Sequence, residues 1–278
     1  MNQLAEKVAK EINQLIDDDK LVLPTMPEMA IKVREASDDP DAGIMDLSKV
    51  ISNDAALAAR IIKVANSPLF RAPREIEDLN MALSRLGMES TANLATGLAM
   101  EQMFQATSDN IDKRMREVWR SSSEIAGICH VLCKHYTKLR PDQAALAGLV
   151  FQIGVLPILS YAEDHPSLLR DSISLDMVID AAHPLIGVKI LTAWEFPQEL
   201  RKVPVEYKNF NVQKPQVDYS DLVTVAMLQA QAGSEVAETI NHAEVTAFGR
   251  VGLNPEIESA EAEDLSEDME AAMQLFSS

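Results

Sequence analysis

The chain has 278 residues, and its 43 acidic residues outnumber its 25 basic ones, which gives a formal net charge of -18 at pH 7. A chain of this length can bury a sizeable core, in one large or two small domains. The acidic balance argues against a nucleic-acid partner, which needs a basic face to neutralise phosphates, and against binding to an anionic membrane surface.

The composition favours an all-α fold. Glycine (10 residues) and aromatic residues (5%) are scarce. Ala, Leu, Met, Glu and Gln are plentiful, and runs of alternating β-branched residues are nearly absent. The N-terminus lacks the continuous apolar centre of a signal peptide, so we expect a cytoplasmic protein.

The two cysteines, Cys129 and Cys133, are spaced i and i+4 on one helical face, with His130 and His135 nearby. This spacing raises the question of a metal site. No second cluster supplies the remaining ligands, and a free cysteine commonly serves as a small core residue. We therefore interpret both as core residues and expect no cofactor.

The N-terminal third contains short helices. Residues 1–20 carry apolar side chains at helical spacing and predict an amphipathic helix that packs on whatever follows. Pro24 and Pro27 then force an extended entry into the next helix. Further on, Asn53 or Asp54 is expected to N-cap the helix ALAARIIKVAN.

That helix stops at Asn66, Ser67 and Pro68. The favoured interpretation of Asn66 is a C-cap in the left-handed region. Two alternatives stay open, in which its amide pins the following loop by hydrogen bonds or contacts an outside ligand.

A polar break near residues 106–112 divides the expected domain, 21–216, into a helical lobe at 21–107 and a second lobe at 108–216. Asp109 or Asn110 should cap a long helix over 111–136.

The most apolar stretch is 144–161, which lies in a run without formal charge and predicts a single helix buried on most sides. Its length would span a bilayer, but Gln152, Gly148, Gly154 and Pro157 lower its hydrophobicity, and we favour a core helix. Any chemical site should have this helix as one wall.

The rest of the chain holds an expected irregular surface loop at 203–216, then residues 217–278, which we expect to form a helix that completes the second lobe and an acidic tail. Eight acids and no Lys or Arg follow Arg250. An apolar stripe, which predicts packing in this chain or on another, comprises Leu265, Met269, Met273 and Phe276.

Residue patterns give little support for an enzyme. The sequence has no glycine-rich phosphate loop, nucleophile elbow, HExxH helix or CxxC pair, and its five histidines are scattered. A metal-assisted hydrolase needs three or more ligands that converge on its ions.

Several segments in one order resemble the HDOD family, the HD-related output domain of bacterial signalling proteins. They are LPTMP, then ISNDAALAARIIKVANS, VWRSS, ALAGLVFQIGVLPIL and HPLIGVKILTAWEFP. The residues that carry the motifs include Asp54, Asn66, Ser67, Trp119 and Trp194.

The resemblance implies an all-α, two-lobed bundle whose second lobe is related to HD-type metal phosphohydrolases. It also implies where the metal ligands of those enzymes would fall here: Ser121, Phe151, Gln152, His183, Tyr207, Lys208 and a position near Met227. Of these positions, only 183 still carries the metal-ligating residue type, a histidine. We interpret His183 as a helix-cap or core hydrogen-bonding histidine.

The resemblance therefore implies a non-catalytic regulatory module that binds other signalling proteins or a small anionic ligand, with homo-oligomers left open. Its input and output are expected to come from other molecules, since no receiver, kinase or cyclic-dinucleotide domain is recognised in this chain. One alternative is a divergent phosphohydrolase that uses His183 with carboxylates such as Glu163, Asp164, Asp180 or Glu206. The other is a metal-free nucleotide sensor with its cleft between the lobes.

Overall fold

The computed structural model describes residues 3–67, 70, 74–165, 168, 172–231, 239–253, 268–269 and 272. This part of the chain is helical and contains no strand, which confirms the all-α prediction. The helices are α1 (Gln3–Asp17), α2 (Glu28–Asp38), α3 (Ile44–Ile51), α4 (Ala55–Ala65), α5 (Leu79–Leu86), α6 (Met88–Ala99), α7 (Asp109–Tyr136), α8 (Pro141–Val150), α9 (Val155–Glu163), α10 (Ser172–Ala193), α11 (Gln198–Arg201), α12 (Val203–Glu206), α13 (Tyr219–Ala230) and α14 (Thr246–Val251). Short 3-10 turns occur at Met100–Met103 and His242–Glu244.

The first lobe consists of α2 to α6, which pack on one another. Local signals set its helix ends. The Asp54 carboxylate accepts a hydrogen bond from the Leu57 amide at 3.0 Å and caps α4, as one of the two predicted caps. Gly87, with φ of 83°, ends α5 and leads directly into α6.

Helix α1 packs on α10, far along the chain. Its buried stripe includes Ile12, which is fully shielded from solvent. At its end Asp17 forms a 2.6 Å ion pair with Lys189 of α10. The N-terminal helix therefore belongs to the packing of the second lobe, and the part of the chain on which it packs lies more than 150 residues further on.

The predicted single helix at 144–161 is interrupted. Helix α8 ends at Val150, residues 151–154 form a turn, and α9 begins at Val155. Pro157 explains part of this break, because proline is tolerated in the first turn of a helix but removes a hydrogen bond from a helix interior. The turn also changes the direction in which Phe151 and Gln152 are presented.

The apolar stretch lies in the core, as predicted. Helix α8 runs against α7 and against α6 of the first lobe, and Gly148 allows the close approach to α7, since a Cβ there would lie 2.5 Å from the Ala126 Cα. Within the described residues, 141–163 is the one segment long and apolar enough to cross a membrane. The fold buries 89% of that segment's most apolar window, as in the core helix of a soluble protein.

Two boundaries differ from the sequence predictions. Helix α7 begins at Asp109 with Ser108 as its N-cap, two residues before the predicted start and without the predicted cap. Residues 203–206 form α12, and Val203 and Tyr207 are almost fully buried, so the prediction of a surface loop is wrong for this part of 203–216. Helix α12 has only four residues, so its apolar residues show no helical periodicity in the sequence.

The acidic tail is described at three residues, and these contact the domain. Ala272 is fully buried and Met269 packs against the core. The Asp268 carboxylate lies 3.4 Å from the His135 ring of α7. Packing within the same chain is thereby confirmed at these positions, whereas Leu265, Met273 and Phe276 lie outside the described residues.

Candidate functional site

A cleft of about 640 Å³ opens in the second lobe between α7, the 151–154 turn, α10, the segment after α12, and α13. Six of the predicted positions line it together: Ser121, Phe151, Gln152, Tyr207, Lys208 and Met227. Those positions are far apart in sequence, and the fold places them around one space. That this cleft occupies the place of a former metal centre stays a prediction.

His183 is not exposed in this cleft. Its side chain is fully buried in the interior of α10, and its Nε2 lies 3.0 Å from the Tyr207 hydroxyl oxygen. Since α10 continues through Pro184, the helix-cap interpretation is wrong, and the alternative of a core hydrogen-bonding histidine is confirmed. Burial lowers the pKa of His183 to about 4, helped by the positive charge of Lys208 and opposed by Asp180.

Tyr207 forms the wall between His183 and the cleft. Its ring is 1% exposed and meets the Phe151 ring edge to face, with centroids 5.0 Å apart. Burial raises the pKa of the Tyr207 phenol, and the negative charge of Asp180 raises it further. The hydroxyl is therefore neutral at physiological pH, and the two rings fill the region behind the cleft.

Charged side chains pair on the rim of the cleft. The Lys208 ammonium lies 2.7 Å from an Asp180 oxygen and 5.6 Å from the Tyr207 ring centroid. Arg114 of α7 pairs with Asp176, one turn before Asp180 on α10. Both cations thus have a carboxylate partner, and the positive charge of Lys208 disfavours a divalent cation in this cleft.

Of the carboxylates in the phosphohydrolase alternative, only Asp180 lines the cleft. Glu163 accepts hydrogen bonds from Thr107 and Ser108 at the start of α7, which lower the pKa of its carboxyl. Glu206 pairs with Lys214 at 2.6 Å. Asp164 follows α9 as its C-cap.

The residues present do not fit a divalent metal. No group of three or more His, Cys, Asp or Glu side chains that could hold an ion occurs among the described residues. His183, the one histidine at a predicted ligand position, is engaged by Tyr207, and Phe151 offers no donor atom. Cys129 and Cys133 are buried free thiols, and burial raises the pKa of both.

The remaining motif residues hold the scaffold together. The Asn66 amide exchanges two hydrogen bonds with the Ile76 backbone, at 2.7 and 2.8 Å, so it pins the following loop. Its φ of -87° shows that the left-handed interpretation is wrong. Ser67 is buried next to it, Trp119 packs on Phe104, and Trp194 donates to the Pro24 carbonyl at 3.0 Å.

Sequence reasoning missed Arg114 and Asp176 as cleft residues. A signal for both existed. Arg114 lies seven residues before Ser121 on the same helix, and Asp176 lies four residues before Asp180, so each shares a helical face with a predicted residue.

Comparison with known proteins agrees with this architecture. A crystal structure from Shewanella amazonensis SB2B, provisionally named a metal-dependent phosphohydrolase, is 29% identical, covers 99% of this chain and 100% of its own, and superposes with a TM-score of 0.87. An HDOD domain protein of unknown function from Geobacter sulfurreducens is 18% identical, with a TM-score of 0.67 over 98% of both chains.

A longer relative also matches this chain. An uncharacterized protein of Treponema pallidum (strain Nichols) is 25% identical over an alignment of 226 positions, which covers 73% of this chain and 42% of the relative. This chain therefore matches less than half of that relative's length. The family model of the HDOD domain matches residues 23–210, well over half of the sequence, and the chain belongs to the HDOD family.

Proposed function

We propose that this protein is a non-catalytic regulatory module that acts by binding other molecules. The observation that carries the proposal is the 3.0 Å contact between His183 and Tyr207. Among the ligand positions that the family resemblance implies, His183 is the only histidine, and the contact joins it to Tyr207, a phenol at another of those positions. Membership in the HDOD family supports the regulatory role.

A phosphohydrolase is the second candidate, because the similar S. amazonensis structure is provisionally named as one. Such an enzyme needs a metal-bound water or an equivalent nucleophile beside the substrate phosphorus. The cleft offers Glu117 and two aspartates, Asp176 and Asp180, which already pair with Arg114 and Lys208. The described residues contain no group of three or more ligands that could hold an ion. We therefore favour binding over hydrolysis.

An anionic nucleotide is the third candidate, and Arg114 and Lys208 are the side chains that favour it. Both are paired with aspartates, so an anion would have to displace Asp176 or Asp180 to reach them. Because displacing an aspartate breaks an ion pair, we expect weak binding of a nucleotide unless its base also fills the apolar part of the cleft, beside Phe151. The ligand that we expect in this cleft is therefore a small molecule with a planar apolar body.

Turnover measurements test the proposal. Purified protein is assayed on phosphate monoesters and diesters in the presence of manganese, iron or magnesium, next to its His183→Ala and Asp180→Asn variants. We expect the wild-type rate to equal the buffer blank. Turnover that both substitutions abolish would establish the phosphohydrolase instead.

A further inference from the structure

A second concave surface lies where the extended segment before α2, helix α2 and the end of α10 meet. We call it the Trp194 groove. It has a volume of about 610 Å³ and shares no residue with the cleft. Its floor is apolar, formed by Leu23, Met26, Ile31 and Trp194. That volume suits a few bulky apolar side chains.

The walls of the groove are fixed by hydrogen bonds that its own residues make. The Trp194 ring donates to the Pro24 carbonyl at 3.0 Å. The Arg34 guanidinium donates to the carbonyls of Trp194, at 2.6 Å, and Glu195, at 3.1 Å, and lies over the Phe196 ring. The groove is therefore preformed, and an incoming segment does not have to order these side chains.

Apolar surface stays open in this preformed groove. Ile31 on the outer face of α2 is 41% exposed. Val22, just before the lining residues, is 78% exposed. Exposed apolar side chains beside a concave apolar floor are typical of surfaces that bind another chain.

The rim of the groove is acidic. Glu35, Asp38 and Glu195 line it with exposed side chains, and none of them forms a salt bridge with another described residue. The one basic residue in the lining, Arg34, uses its guanidinium on two backbone carbonyls. An incoming segment thus meets carboxylates around an apolar floor.

The acidic rim of the groove distinguishes between three possible occupants: the end of this chain, a second copy of it, and a partner protein. The end of this chain is a poor match, because eight acids and no Lys or Arg follow Arg250. A second copy of a chain with a net charge of -18 is disfavoured for the same reason. We propose that the Trp194 groove docks a segment of a partner protein in which Lys or Arg residues flank bulky apolar side chains.

This inference goes beyond the proposed function of the cleft. Failure of peptide docking would leave the metal-free account of the cleft intact, and turnover at the cleft would leave the groove intact.

Glu195 provides a matched test, because its backbone lies in the left-handed region with φ of 56°. The Phe196 amide bonds the Leu191 carbonyl at 3.0 Å, so Glu195 stands at the position after a helix end where glycine is favoured. Asp19 has the same conformation after α1, with φ of 55°, and does not line the groove. Glycine at either position should raise the melting temperature by about 2 °C.

The binding experiment uses two labelled amphipathic peptides, one of Leu and Lys and one of Leu and Glu, measured by fluorescence anisotropy at low and high salt. We expect the full chain to bind the Leu/Lys peptide alone, and more weakly at high salt. Glu195→Gly should weaken binding about threefold, as for one exposed charge pair, whereas Asp19→Gly should leave it unchanged. Ile31→Ala should weaken it about fivefold through lost apolar contact.

Charge reversal distinguishes docking of the peptide in the Trp194 groove from general attraction of a basic peptide to an acidic protein. The Glu35→Lys/Glu195→Lys variant should weaken binding about tenfold or more, because like charges then face each other. Glu75→Lys/Glu77→Lys makes the same change in net charge at exposed residues outside the groove and should leave binding within about twofold. Hydrogen exchange should slow at residues 22–38 and 193–196 when the peptide binds. The proposal is overturned by absence of binding at low salt, or by an equal effect of both charge reversals.

Discussion

Gly154 and Gly187 face each other where the start of α9 crosses α10. A Cβ on Gly154 would lie 2.6 Å from the Gly187 backbone nitrogen and would also collide with the His183 carbonyl. Only a residue without a side chain allows this crossing. The same approach holds α10 against the 151–154 turn, and so places His183 behind the cleft.

Gly154→Ala should therefore be strongly destabilising. The contacts are with backbone atoms, which cannot move aside without shifting a helix, so we expect a loss of about 3 kcal/mol or more in the free energy of unfolding. Urea denaturation followed by circular dichroism measures it. The control is Gly249→Ala, at a helical glycine where an added Cβ would meet no other part of the fold within 4 Å, and it should be neutral or stabilising. Equal effects of the two substitutions would refute the proposed crossing.

Removing the Tyr207 hydroxyl tests the pair behind the cleft. Tyr207→Phe keeps the ring contact with Phe151 but leaves the buried Nε2 of His183 without its partner. We expect a loss of roughly 1–3 kcal/mol in the free energy of unfolding. Urea denaturation of the variant, compared with the wild-type chain, gives the difference. A neutral Tyr207→Phe would mean that the hydrogen bond contributes nothing.

Two buried histidines predict loss of stability in mild acid. Burial lowers the pKa of His183 and of His130 to about 4, from a usual value of 6.5. The unfolded chain then binds protons that the folded chain does not, so the free energy of unfolding falls as the pH drops from 6.5 to 4. Each histidine contributes on the order of 3 kcal/mol over that window.

Urea denaturation at several pH values measures this slope. His183→Gln should reduce this slope relative to the wild-type chain. Carboxyls whose pKa is lowered by folding, such as that of Asp218, affect stability at lower pH than the histidines do. Their contribution to the free energy of unfolding is present above the unfolded pKa and is lost as the pH falls below about 4. An unchanged slope in His183→Gln would contradict the assignment.

The helix pattern was predictable because it depends on local signals. The Asp54 cap, the proline entry before α2 and the apolar face of α7 all act within a few residues of one another. The break in the central stretch was not predictable from periodicity. It depends on the close approach of Gly154 to α10, a contact with residues about thirty positions further along the chain.

The candidate site was predictable only in part. The resemblance to a family supplied positions that the fold brings together, such as Ser121, Phe151 and Tyr207. It did not supply the roles of those residues. The pairing of His183 with Tyr207, and of Lys208 with Asp180, depends on side-chain directions that only the packed structure fixes.

Introducing the His-Asp pair that the family resemblance implies should not produce an enzyme. In the Phe151→His/Gln152→Asp variant, Tyr207 and Lys208 still occupy other positions that the resemblance assigns to ligands, so we expect no phosphoester turnover above the blank. The variant should also lose several kcal/mol of stability, because a buried Phe becomes polar and a carboxylate enters an apolar wall. Turnover and urea denaturation are measured on the same preparation. Activity gained by this change alone would show that the remaining positions are not obstacles.

The most direct test of the central claim is the metal content of the purified protein. The wild-type chain is dialysed against manganese, iron or magnesium, freed of excess ion by gel filtration, and analysed by inductively coupled plasma mass spectrometry. The account predicts far less than one bound ion per chain, with no change in His183→Ala. One or two ions per chain, lost in His183→Ala, would contradict it.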